Sequence, residues 1–140
     1  MKHVSLCTSV GVTRADSFPF CIINTFGVMS YKRAGENLVI GSGIPYTIVR
    51  PGILSEGPFT GKGINDRLLR ATTGTLRGVH LSNNDDIDGK AARSMVAELL
   101  VQSFLLDTLE NRVLAIESTE DEGPGTDSAK WEKLIPAPEA

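Results

Sequence analysis

Apolar positions fall in short runs broken by glycine and proline. Residues 4–9, VSLCTS, form an apolar run with a β-branched start and predict a strand that ends before Gly11. Residues 15–30 are unusually apolar for a connection. The pattern over 26–40 predicts a helix, with Tyr31, Ala34 and Leu38 on one face and Arg33, Glu36 and Asn37 outward. Gly41-Ser42-Gly43 and Pro45 stop it. Residues 46–49 are mostly apolar and predict a parallel strand covered on both faces. Residues 52–63 carry Gly52, Gly57, Gly61 and Gly63 and read as a mobile loop, followed by a short helix at 65–71 and a weak strand at 76–81. The span 89–106 predicts a helix with Ala92, Met95, Val96, Leu99 and Ser103 as its buried stripe and Asp88 as its N-cap. Residues 112–117 predict a strand. Gly123-Pro124-Gly125 reads as a turn, and Asp127 caps a last helix that runs to Leu134. The domain is expected to span 1–135, with 136–140 as a disordered tail.

Strands and helices therefore alternate, which argues for an α/β fold with a parallel sheet and right-handed crossovers. At 140 residues, with 41% hydrophobic and 22% charged, the chain suits one globular domain. No apolar run is long enough to predict a membrane span. A net charge of -3 argues against a nucleic-acid partner, which would want a basic face. Cys7 and Cys21 have no metal-ligand spacing, so no metal is expected and a reduced intracellular compartment is the plain reading. The opening MKHVSLCTS has neither an apolar signal core nor an Arg/Ser-rich transit pattern. The expectation is that a targeting segment has been removed or that an upstream part is missing.

Three candidate motifs fail on their context. Gly41-Ser42-Gly43 opens like a dinucleotide fingerprint, but a predicted helix precedes it and Pro45 follows, where the motif needs a strand before and a helix after. Gly61-Lys62 lacks the spacing of a phosphate-binding loop. Asn84, Asp86, Asp88 and Gly89 mimic the start of a calcium loop, but Met95 stands where the closing carboxylate belongs. His3 and His80 are isolated in the sequence and read as ordinary surface or edge residues.

Several stretches taken together resemble the atypical short-chain dehydrogenase/reductases: Thr8-Ser9-Val10-Gly11-Val12, Tyr31-Lys32-Arg33-Ala34-Gly35-Glu36, and Tyr46-Thr47-Ile48-Val49-Arg50-Pro51-Gly52. More narrowly, they are similar to NAD(P)-binding proteins of plants and algae that are often located in the chloroplast. The run Glu120-Asp121-Glu122-Gly123-Pro124-Gly125-Thr126-Asp127, with Trp131 four residues on, adds to the match. The resemblance implies a partial Rossmann-like parallel sheet flanked by helices and lacking the N-terminal half, with the chain starting at the family's fifth strand. It also implies a chloroplast location.

In working members of the wider family a Tyr and a Lys lie four residues apart on one helix, so that they share a face. The phenol acts as general acid/base, while the ammonium lowers its pKa and binds the nicotinamide ribose. Lys32 matches that Lys, because Glu36 follows at the family's spacing, but Val28 stands where the phenol belongs. Tyr31 points about 100° away and has Gly35 four residues on, so the dyad is absent in either register. Whether the chain is an enzyme is therefore left open.

The resemblance assigns cofactor-side positions to Ser9, Lys32, Pro51, Gly52 and Ile53. For Lys32 the alternative is a surface ion pair with Glu36 at i,i+4, contributing ~0.3–0.5 kcal/mol. Ser9 matches a strand-end hydroxyl that helps hold a substrate carbonyl, with Thr8 as the alternative; a plain turn residue is the other reading. Pro51, Gly52 and Ile53 match the segment whose backbone meets the nicotinamide carboxamide, or they simply end a strand. Residues 52–63 would then form a substrate-side lid, and 18–29 an apolar pocket wall, core or partner interface.

Nucleotides bind outside the strand ends, where strand order reverses, with the pyrophosphate on a helix N-terminus. The sequence has no glycine-rich turn to supply that cradle, so NADP or NAD is expected to bind weakly or not at all. A strand meant to be central becomes an edge, which predicts instability, self-association or a protein partner over the missing half of the sheet. Two functions follow. One is an NAD(P)-binding, oxidoreductase-like domain that supplies the nicotinamide and substrate side of the site. The other is a non-catalytic structural or interaction subunit derived from that fold.

Overall fold

The computed structural model describes residues 2–55 and 78–138. Its main sheet has four strands: β1 (Val4–Cys7), β2 (Tyr46–Pro51), β6 (Arg112–Thr119) and β4 (Gly78–Ser82), in the order β1-β2-β6-β4. β1, β2 and β6 are parallel, with Leu6 beside Ile48 and Ile48 beside Val113. β4 runs antiparallel to β6, so the predicted all-parallel sheet gains one reversed edge. A small parallel pair, β3 (Ile53–Ser55) with β5 (Lys90–Ala92), lies beyond the end of β2, where the sequence predicted only loop and helix. The expected helix at 65–71 and most of the expected loop at 52–63 lie outside the described residues.

One face of the sheet carries the main core. Val49, Leu114, Ile116, Val79 and Leu81 pack against α3 (Arg93–Gln102) through Met95, Val96 and Leu99, with Leu109 and Trp131 closing it. Each fully buried Leu, Ile or Met here stabilises the fold by about 1.5–3 kcal/mol relative to exposure. The predicted stripe of this helix is buried as expected, but the helix begins at Arg93, with Ala92 at its N-cap, because residues 90–92 extend as β5. Asp88 does not cap it; its carboxylate takes Arg14 instead, at 3.1 Å. The last helix, α4 (Ser128–Leu134), is capped as predicted, since Asp127 accepts from the amides of Ala129 and Lys130. The carbonyls of Pro136 and Ala137 accept from Arg112 and Asn83, which ties the described part of the tail to the body.

The other face is covered by α1 (Phe20–Ile23) and α2 (Val28–Ile40), joined by a 3-10 turn at Asn24–Phe26. α2 starts two residues later than predicted, and it is turned differently from the prediction: Asn37 is exposed as expected, but Glu36 faces the sheet. Glu36 is fully buried, while Tyr31 and Leu38 are 79% and 76% exposed. The reason is electrostatic. The sheet beneath α2 presents Arg50 and a strand-end hydroxyl, so the helix turns Glu36 inward and leaves Tyr31 and Leu38 outside. Phe18, Ile22, Ile23 and Phe26 are also exposed, and only Phe20 and Met29 of that stretch join a small second core with Val10, Val12 and Ile87.

Candidate functional site

Thr8 and Ser9 leave β1 at its carboxyl end, beside the carboxyl end of β2. The Thr8 amide donates to the Val49 carbonyl and the Val10 amide to that of Pro51, which carries the ladder past the end of the strand and fixes Ser9 between them. From α2, Lys32 reaches Ser9, with Nζ donating to Oγ at 3.1 Å. Two of the five sequence-assigned residues are therefore in direct contact. The Ser9 hydroxyl also lies 3.6 Å from the sulfur of Met29. Lys32 pairs with Ser9 rather than forming the surface pair with Glu36 that stood as its alternative.

Pro51 joins this neighbourhood through its carbonyl, which accepts from the Val10 amide at 3.0 Å. Gly52 and Ile53 follow, but their amides are already used: Gly52 donates to the Ile116 carbonyl and Ile53 to that of Gly89, each at 3.0 Å. A Cβ on Gly52 would run into the Gly89 carbonyl oxygen. Backbone packing by itself therefore requires the glycine. The side chain of Ile53 is 68% exposed and contributes nothing to the Ser9–Lys32 pair. Tyr31 points to solvent, and Val28 supplies no proton.

Sequence reasoning missed the charged centre beneath these groups. Glu36 accepts from Arg50 at both oxygens, Nε to Oε1 at 3.0 Å and Nη2 to Oε2 at 2.7 Å. Thr8 donates to Oε1 at 2.7 Å and Arg33 to Oε2 at 2.9 Å. Burial pushes the Glu36 carboxyl up, but the hydrogen bonds from Arg50, Thr8 and Arg33 outweigh it and hold it below the usual carboxylate range. The signal was present in the sequence: an arginine inside an otherwise apolar, doubly covered strand requires a buried carboxylate partner.

Asp85 is a second missed residue. Its carboxylate takes the amides of Gly11 and Thr13, at 2.6 and 2.9 Å, and the Thr13 hydroxyl, with Arg14 3.7 Å away. Burial raises its pKa, yet these donors prevail and the net shift is downward. Gly11 has φ 86°, and converging amides around such a residue form an anion-binding nest. Here the chain's own carboxylate fills it, so this turn offers no phosphate cradle. His80, expected to be isolated, sits directly opposite Glu117 in the β4–β6 ladder, Nδ1 to Oε1 at 2.8 Å. His3 likewise contacts the Thr47 hydroxyl at 3.0 Å. A cleft of about 450 Å³ opens at the far edge of the sheet, lined by Thr119, Asp121, Lys130 and Lys133, and includes none of the assigned residues. Among the described residues, no group of three or more His, Cys, Asp or Glu is placed to hold a metal, and no helix is long and apolar enough to cross a membrane.

Residues 1–106 match the family model described as NAD(P)H-binding. The chain belongs to the NAD(P)H-binding family. Over 84 residues it is 51% identical to Protein TIC 62, chloroplastic, of Oryza sativa subsp. japonica, covering 59% of this chain and 16% of that one. Over 142 residues it is 27% identical to Sanguinarine reductase of Eschscholzia californica, covering 96% of this chain and 45% of that one. Among solved structures, the oxidoreductase ylbE from Lactococcus lactis superposes with a TM-score of 0.61 at 14% identity, over 93% of this chain and 51% of that one. At that identity the likeness establishes the fold: a Rossmann-like α/β architecture with a predominantly parallel sheet. This member of the NAD(P)H-binding family spans less than half the length of those two curated relatives and about half of the solved chain. Its resemblance to the atypical short-chain dehydrogenase/reductases and their plant members holds at the level of family and fold.

Proposed function

We propose that this chain supplies the nicotinamide and substrate side of an NAD(P)-binding, oxidoreductase-like site. The contact between Lys32 and Ser9 carries the proposal. It joins an ammonium and a hydroxyl at the carboxyl ends of two parallel strands, where open α/β sheets bind their ligands. Lys32 would bond the nicotinamide ribose, and Ser9 would orient a carbonyl of the substrate or of the carboxamide. The Pro51–Ile53 segment would flank the ring with peptide carbonyls and apolar surface, since its amide donors are committed to the fold.

NADP or NAD is the cofactor class, held weakly by this chain. Among the described residues no glycine-rich strand-to-helix turn is available for the pyrophosphate, and the nest after β1 holds Asp85. Carbonyl reduction also needs a proton, which Val28 cannot give. That residue favours the second reading, a non-catalytic structural or interaction subunit. In either reading a protein surface covers the open side of β1, which has no strand beyond it among the described residues. The plastid is the proposed location, following the chloroplastic name of the rice relative.

Titration with NADPH and NADH, followed by nicotinamide fluorescence, tests the proposal. Saturable binding that Lys32→Ala weakens supports the cofactor role. No saturable signal at millimolar concentration of either dinucleotide sinks it and leaves the structural subunit.

A further inference from the structure

We infer that Glu36 is the positioning residue that sets the nicotinamide-side groups in register with one another, an inference that rests on the cofactor reading above. Three of the five assigned residues, Ser9, Lys32 and Pro51, lie next to a residue bound to this single carboxylate or one helical turn from the carboxylate itself. Thr8 precedes Ser9, Arg50 precedes Pro51, and Lys32 lies one turn before Glu36 on α2. Thr8 and Arg50 Nε share Oε1; Arg50 Nη2 and Arg33 share Oε2. The four donors use the acceptor capacity of both oxygens, and the side chain is fully buried, so the carboxylate has one arrangement that satisfies it.

Neutralising Arg50 alone would not require the Thr8 hydroxyl. That extra bond ties the end of β1 to α2 one residue before Ser9, where Lys32 docks. Ligand groups must be held to within a fraction of an ångström to act together, and rigid supports beneath them supply that precision. Without Glu36, α2 loses its bonds to Thr8 and Arg50, and the Lys32–Ser9 contact is left without that support.

The test uses reduced nicotinamide mononucleotide, which reaches only the nicotinamide side, titrated into the 15N-labelled chain at a temperature where every variant is folded. The wild type should show saturable amide shifts at Ser9, Val10 and Gly52. Thr8→Val, which keeps the Glu36–Arg50 pair, should weaken binding about fivefold, the worth of one hydrogen bond. Glu36→Gln should weaken it by about tenfold to a hundredfold. Val96→Ala, in the core on the opposite face of the sheet, should lower stability and leave the affinity unchanged. If Glu36→Gln does not fold, Thr8→Val decides. Wild-type affinity in Thr8→Val, or an equal loss in Val96→Ala, overturns the positioning role while leaving the cofactor reading intact. An unresponsive wild type sinks the cofactor reading and this inference with it.

Discussion

Arg50 and Glu36 meet in a two-pronged contact buried beneath α2, Nη2 to Oε2 at 2.7 Å and Nε to Oε1 at 3.0 Å. Neither charge has water to fall back on, since the two side chains are 7% and 0% exposed. Removing one partner strands the other, whereas removing both leaves only a packing problem. Arg50→Met is expected to cost about 3–5 kcal/mol. The double variant Arg50→Met/Glu36→Leu should lose clearly less than the two single variants summed. Urea unfolding of the four proteins measures the coupling, and strict additivity would refute it.

Acid should unfold this chain through the same carboxylates. Glu36 and Asp85 both have folded pKa values below their ordinary ones. Their contribution is therefore fully present above the unfolded value, roughly pH 4, and is lost as pH falls through the depressed folded values. The urea midpoint should hold steady from neutrality to about pH 5 and then drop. Asp85→Asn removes one of the two groups and should make the drop shallower. An unchanged slope in that variant would mean that Asp85 gains nothing from its nest.

Gly52 is expected to tolerate no side chain. A Cβ there would meet the carbonyl oxygen of Gly89, a backbone atom held by its bond to the Ile53 amide. Gly52→Ala should cost about 1–3 kcal/mol through forced backbone movement. Guanidinium unfolding gives the value directly, and a neutral substitution would show that the crossing of residues 52 and 89 has slack.

The last helix offers a milder test. Asp127 accepts two amides at the start of α4, and the indole of Trp131 donates to the Gly125 carbonyl at 2.8 Å. Asp127→Ala should cost about 0.5–2 kcal/mol, as lost caps do, without changing the fold. Circular dichroism during thermal melting checks both the loss and the retained helix.

Asp127 also marks what was legible in the sequence. A cap followed by a short amphipathic run is a local signal, and it was read correctly, as was the stripe of α3; the strands expected at 46–49 and 112–117 are present and each run two residues further. α2 was misread because periodicity tells which residues share a face and cannot tell which face the fold wants. Glu36 went inward to meet Arg50, a residue 14 positions away in the chain. β5 was hidden inside a helix pattern because Ala91 and Ala92 suit either state, and pairing with β3 decided it. At the candidate site, Ser9 and Lys32 came from family resemblance, whereas Asp85 lies more than 70 residues from the turn it holds, beyond the reach of any local pattern.

Self-association is the remaining expectation. β1 pairs only with β2 among the described residues, and the alternation set by the Val4 and Thr8 amides, which bond the β2 side, turns those of Ser5 and Cys7 toward the open edge. A second surface lies on the helical side, where Phe26 and Tyr31 are 86% and 79% exposed. Sedimentation velocity over a wide concentration range should show association of the wild type. The two surfaces then separate by mutation. Cys7→Pro removes an edge donor without touching the bonds to β2, and it should yield a monomer if strand addition drives assembly. Phe26→Glu with Tyr31→Glu should do so if the apolar helix face is responsible. A wild-type protein that stays monomeric at every concentration would mean that neither the open edge nor the apolar face is sticky enough to act on its own.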